Sequence, residues 1–301
     1  MRTIKGPNAV LPVLLILSGL ACGNQEVQNP RKHVTNKTGE TRSQTTNPKL
    51  MQLGAGDHSS IAESFVFVAR NLETYELMRA VMTNLPDQSE EFFKSHAIVV
   101  VFLGQRPSGG FAIEIAYEAG ALEITERRPP KGAMVKTVLT APYKAIAIQL
   151  RENEPLALSL GETWKKQLRS YRITSGELMV SGGISGKQRR FPLQGTIEIM
   201  CGKELCTFIF DVRSSPDNAS RLSDVASGKM DSKGEILLFP IDSFSLSGAI
   251  LSPFRAKAKF TDGQQRLAMS LETIANPTVS DNFSGAGSII AVATSLPNQE
   301  R

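Results

Sequence analysis

The chain has 301 residues, 41% of them apolar, with one tryptophan and 24 glycines; this is length for two modest domains and a composition that favours a β-rich, turn-rich fold. The formal charge of +5 sits in the first 56 residues: residues 1–21 carry Arg2 and Lys5 with no acid, and residues 22–56 carry Arg31, Lys32, Lys37, Arg42 and Lys49 against Glu26 and Glu40. The remainder is neutral overall, so the folded part has no net field to draw in nucleic acid, which is excluded as a partner.

Residues 1–21 read as a secretory leader. Arg2 and Lys5 precede the apolar run from Ala9 to Leu17, and small residues follow at Ser18-Gly19-Leu20-Ala21. The run is short for a membrane span and holds Pro12. Cys22 directly after Leu20-Ala21 resembles a bacterial lipoprotein processing site, although Gly19 stands where that family prefers Leu. The resemblance implies acylation of Cys22 and a mature chain tethered to a membrane by its first residue. Gly23 in place of Asp implies delivery to the outer membrane of a Gram-negative envelope. Residues 22–56 are rich in Asn, Gln, Thr and Lys without apolar periodicity, so they read as a disordered tether. Its mean reach is about 30 Å.

Residues 57–152 form the first predicted domain. Ser64–Ala69 is a strand, Asn71 caps a helix over Leu72–Leu85, and Pro86 stops it. Leu72, Tyr75, Met78, Met82 and Leu85 share the apolar face of that helix. Ala97–Leu103 is apolar on both faces and reads as a central strand. A loop follows: Gly104, Gln105, Arg106, Pro107, Ser108, Gly109 and Gly110. Phe111, Ile113 and Ile115 then alternate along the next strand. Further strands are Ala121–Glu126 and Lys144–Leu150, separated by loops at Arg127–Gly132 and Thr140–Tyr143. The order is that of an α+β domain with a mainly antiparallel sheet.

These residues together resemble the C-terminal domain of the PrcB family of protease-complex subunits. The likeness rests on a strand followed by Gly104-Gln-Arg-Pro-Ser-Gly-Gly-Phe111, then Pro129-Pro130 with Gly132, then Thr140-Ala-Pro-Tyr143. Phe111 stands where Tyr is common and Ser108 where Thr is common. The resemblance implies an envelope protein that supports assembly or stability of an exported protease, or of another envelope complex. It implies partner contacts at the 104–110 loop, Phe111 and Tyr143. It does not imply proteolysis by this chain.

Residues 153–301 form the second predicted domain. Trp164–Tyr171 reads as one short helix or an irregular lead-in, many short strands follow, and Ser214–Lys233 reads as a polar surface loop. The pattern fits an all-β sandwich or small barrel. Cys201 and Cys206 face each other across a Gly202–Leu205 turn, where an oxidising compartment allows a disulfide. No second Cys pair or nearby His completes a metal site. His33 and His58 lie in or beside the tether and His96 lies just before a predicted strand, and Gly-x-Ser-x-Gly, Ser-x-x-Lys, His-Glu-x-x-His and phosphate-binding glycine motifs do not occur. The sequence therefore assigns no catalytic residue, metal or cofactor. It favours a non-catalytic, lipid-anchored envelope protein; the alternative is a periplasmic small-molecule or lipid carrier that uses the interior of the second domain.

Overall fold

The computed structural model describes residues 50–150, 154–181, 188–214, 221–241, 245–246, 249–250, 254–273 and 284–294. The expected leader, Cys22 and the tether as far as residue 49 lie outside the described residues. Thr46–Arg301 form one compact unit. Among the described residues no helix is long and apolar enough to cross a membrane.

The first half is α+β. Its elements are β1 (Leu50–Gly56), β2 (Phe65–Ala69), α1 (Leu72–Arg79), α2 (Glu90–Phe93), β3 (His96–Phe102), β4 (Ala112–Glu118), β5 (Ala121–Arg127), β6 (Tyr143–Gln149), β7 (Ala157–Leu160) and α3 (Glu162–Lys165). One antiparallel sheet has the order β1-β6-β3-β2. Ala97 to Phe102 are buried on both faces of β3, as a central strand requires. A second sheet pairs β4 with β5 in antiparallel fashion and adds β7 parallel to β5. Asn71 caps α1 by accepting from the Thr74 amide at 2.7 Å. The helix ends at Arg79, short of the expected Leu85, but Met82 and Leu85 still reach the core.

Leu50–Gly56, placed by composition in the tether, is a strand. It pairs with β6, and Leu50 and Leu53 pack on the core. Glycines at 54 and 56 hide its apolar pattern, and one of them is required: a Cβ on Gly56 would lie 2.7 Å from the Tyr143 ring. Leu156, Leu160 and Trp164, read with the second domain, also belong to this first core. Trp164 is fully buried and donates its indole N–H to the Phe102 carbonyl at 2.9 Å.

The second half is a closed barrel. Its strands are β8 (Arg169–Ser181), β9 (Gln188–Gly202), β10 (Leu205–Ser214), β11 (Arg221–Met230), β12 (Glu235–Ile241), β13 (Ser245–Leu246), β14 (Ala249–Ile250), β15 (Phe254–Thr261), β16 (Arg266–Thr273) and β17 (Ser284–Ala293). Neighbours in sequence are neighbours in space, and β17 pairs back onto β8. Among the described strands of this half, the short β13–β14 pair alone lies outside the ring. This settles the sandwich-or-barrel expectation in favour of the barrel. It also turns much of the expected 214–233 loop into β11. Alternation divides β10 cleanly: Cys206, Phe208, Phe210 and Val212 join the barrel core, while Leu205 and Ile209 join the first core. Cys201 and Cys206 are opposite each other in register and form a disulfide.

The barrel is fastened to β2 by side chains. The Ser227 hydroxyl accepts from the Val68 amide at 2.9 Å, and the Thr207 hydroxyl donates to the Val66 carbonyl at 2.6 Å. The two hydroxyls lie 2.7 Å apart. Nearby, the Arg70 guanidinium meets Asp224 at 2.7 Å, with side chains only 7% and 0% exposed. Removing one partner of such a pair leaves a buried charge and costs about 3–5 kcal/mol. Arg70→Ala is therefore expected to lose that much in urea denaturation, with the Arg70→Met, Asp224→Leu double variant closer to wild type. A loss below about 1 kcal/mol in the single variant would contradict the assignment.

Candidate functional site

The site is the junction between the loop leaving β3 and the connection from β5 to β6. The sequence dictates much of its shape. Gly104 has φ of +75°, and a Cβ there would lie 2.7 Å from the Ala62 carbonyl oxygen. Beside it the Ser64 hydroxyl donates to the Leu103 carbonyl at 2.6 Å, and the Gln105 amide donates to Ala62 at 2.9 Å. Gly110 also has positive φ, +88°, and packs under Pro129 and Val135.

Backbone bonds stitch the loop to the long β5–β6 connection. The Arg106 amide donates to the Thr140 carbonyl at 2.8 Å, and the Arg106 carbonyl accepts from the Thr140 amide at 3.0 Å. The Gly109 amide donates to the Lys136 carbonyl at 2.9 Å. The Thr140 hydroxyl donates to the Ser108 carbonyl at 3.1 Å. The connection is held to the loop in this way at Lys136 and Thr140, yet residues 131–139 are all exposed. Met134 is 103% exposed, Val138 47% and Leu139 59%, with Val135 beside them. Apolar side chains gathered on one exposed segment are the mark of an interaction site, whereas scattered ones are ordinary.

A small polar cluster lies beside the loop. Arg106 stands over the Phe111 ring with 5.8 Å from guanidinium carbon to ring centre. Its Nε faces Glu126 Oε1 at 3.3 Å, and its Nη1 donates to the Gln105 carbonyl at 2.9 Å. The Thr163 hydroxyl donates to the other Glu126 oxygen. Arg128 adds a longer contact to Glu126 at 3.5 Å. Burial alone would raise the Glu126 carboxyl, but the Thr163 hydroxyl and the Arg106 guanidinium, with Arg128 behind them, outweigh it and hold the group below the ordinary glutamate value. These side chains line an open groove of about 420 Å³, closed at one side by Lys166 and Gln167.

The residues expected to contact a partner divide into two sets. Gln105, Pro107 and Gly110 are exposed, and Arg106, Ser108, Gly109 and Phe111 are half-buried at the same face. Gly104 is buried and Tyr143 is only 6% exposed. The Tyr143 hydroxyl pairs with the Asn84 side chain, and its ring fills the space above Gly56, so Tyr143 is part of the fold rather than of the exposed face. The sequence reading missed Met134, Val138 and Leu139. The available signal was a long connection with apolar residues but no strand partner in the alternating pattern. His96 stacks on Phe92 with ring centres 4.5 Å apart and lies 2.9 Å from the Ser95 hydroxyl, away from this junction.

Two predictions follow from this geometry. Gly104→Ala forces an unfavourable backbone conformation against a fixed carbonyl and is expected to cost at least about 1–3 kcal/mol in denaturation; a neutral effect would refute the close approach. Glu126 titrates lower in the folded chain than in the unfolded one. Its stabilisation is therefore complete above the unfolded value and is lost as pH falls through the folded value. Between pH 7 and about pH 3, wild type should lose more stability than Glu126→Gln; equal losses would contradict the charge pairing.

A comparison with curated proteins finds no match. Residues 97–149, which run from β3 through the glycine loop and the exposed connection to the end of β6, match the family model described as PrcB C-terminal.

Proposed function

We propose that the protein is a non-catalytic, lipid-anchored component of the bacterial cell envelope that docks on an exported protease, or on another envelope complex, and supports its assembly or stability. The docking face in this reading is the junction of Gln105–Phe111 with residues 131–139. The observation that carries it is the exposed apolar strap of Met134, Val138 and Leu139, pinned by backbone bonds to the glycine loop. A surface held in one shape loses little entropy when a partner covers it. The PrcB C-terminal match covers the same residues and supports a protease-complex setting. The N-terminal pattern ending at Cys22 supports envelope anchoring. The carrier reading is less well supported, because Phe208, Phe210, Phe254 and Tyr171 turn into the barrel interior and pack there with aliphatic neighbours.

The test is gentle detergent extraction of the native envelope, capture of the full-length protein and mass spectrometry of what accompanies it. A stoichiometric protein partner, retained by wild type and lost by Met134→Ser with Leu139→Ser, is the expected result. Both positions are exposed, so the variant should keep the wild-type melting temperature within a few degrees. A protein that elutes alone, or a variant that keeps every partner, would overturn the proposal.

A further inference from the structure

The groove beside Phe111 holds a charge imbalance that the apolar strap does not explain. Its carboxylate, Glu126, is fully engaged by Arg106, Thr163 and Arg128. Arg106 is engaged as well, by Glu126, the Gln105 carbonyl and the Phe111 ring. Arg128 differs from it. Its side chain is 75% exposed and touches Glu126 only through Nε. Lys166 also lines the groove, exposed at the end of α3. Three cations against one carboxylate leave an excess of positive charge along the groove. The strap extends it with Lys131 and Lys136, and no Asp or Glu occurs between Arg127 and Leu150.

We infer that the groove receives the carboxylate side chain of an acidic segment of the partner protein, with Arg128 and Lys166 as its donors. Apolar residues of the same segment lie on Val138 and Leu139. The inference rests on the docking reading above and names the chemistry of its partner. A guanidinium fork and an ammonium lining the same open groove suit a singly charged planar group. The Glu126 carboxylate in the same lining disfavours a doubly charged phosphate more than a singly charged carboxylate, so a lipid headgroup or free phosphate fits less well. Close charge pairs of this kind fix register and raise the rate of association.

The experiment is zero-length carbodiimide coupling in the intact envelope, which joins an ammonium to a carboxylate in direct contact, followed by peptide mass spectrometry. The expected product joins Lys166 to an Asp or Glu of another protein. In parallel, full-length Arg128→Gln with Lys166→Gln is captured beside wild type and beside Met134→Ser with Leu139→Ser. Neutralising the groove should weaken capture at least about tenfold at low salt and flatten its dependence on salt. If the strap variant loses the partner but the neutralised variant keeps it, the docking reading stands and the acidic-segment inference falls. If neither variant matters, both fall. Coupling of Lys166 only within its own chain, as a groove facing lipid would give, also overturns the inference.

Discussion

Two buried hydroxyls hold this architecture together. β2 lies at the edge of its sheet, and an edge strand presents backbone groups that need partners. Thr207 and Ser227 of the barrel supply them, to the Val66 carbonyl and the Val68 amide. The barrel therefore completes the sheet without adding a strand to it. The Arg70–Asp224 pair repeats the connection a few residues on. β10 carries both functions at once, with one face in the barrel core and the other in the first core. The first core depends on the barrel for its cover, and the glycine loop leaves β3 from within that core.

That dependence explains why the face formed by the glycine loop and residues 131–139 can be so exposed. The backbone of the 104–110 loop is fixed by Gly104 against Ala62, by the Arg106–Thr140 bridge and by Gly109 on Lys136. The side chains of the strap then have no structural task. Met134, Val138 and Leu139 contribute nothing evident to either core, yet they stand in solvent on a connection with defined backbone partners. Exposure of this kind carries a cost in solubility, which a partner would remove. The cationic groove lies beside the same loop and, in the docking proposal, would supply the direction that apolar contact lacks.

Much of this was legible in the chain. The β3 run from Ala97 to Phe102, the capped helix after Asn71 and the glycine loop follow from apolar runs and turn residues alone. The cysteine pair was visible as two residues either side of a turn. What escaped the reading did so for physical reasons. β11 holds Ser223, Asp224, Ser227 and Gly228, a composition that reads as a surface loop. Its polar residues are there because Asp224 and Ser227 serve as buried partners for the other half. β1 was concealed by its glycines, which make room for Tyr143. Tyr143 itself was placed with the docking loop on the strength of a motif, but burial and the Asn84 contact give it a structural task. The strap was missed because Met134, Val138 and Leu139 form neither a helical nor an alternating pattern, and only the fold shows that none of the described residues buries them.

The central claim is that the strap and the glycine loop are covered by a protein in the native envelope. Hydrogen–deuterium exchange of the full-length protein, compared between intact envelopes and detergent-purified material, reads this directly. The amides of residues 131–139 and of the 105–110 loop should exchange at least about tenfold more slowly in the envelope, with the strands of the barrel unchanged. Equal exchange across 131–139 in both preparations would contradict the account.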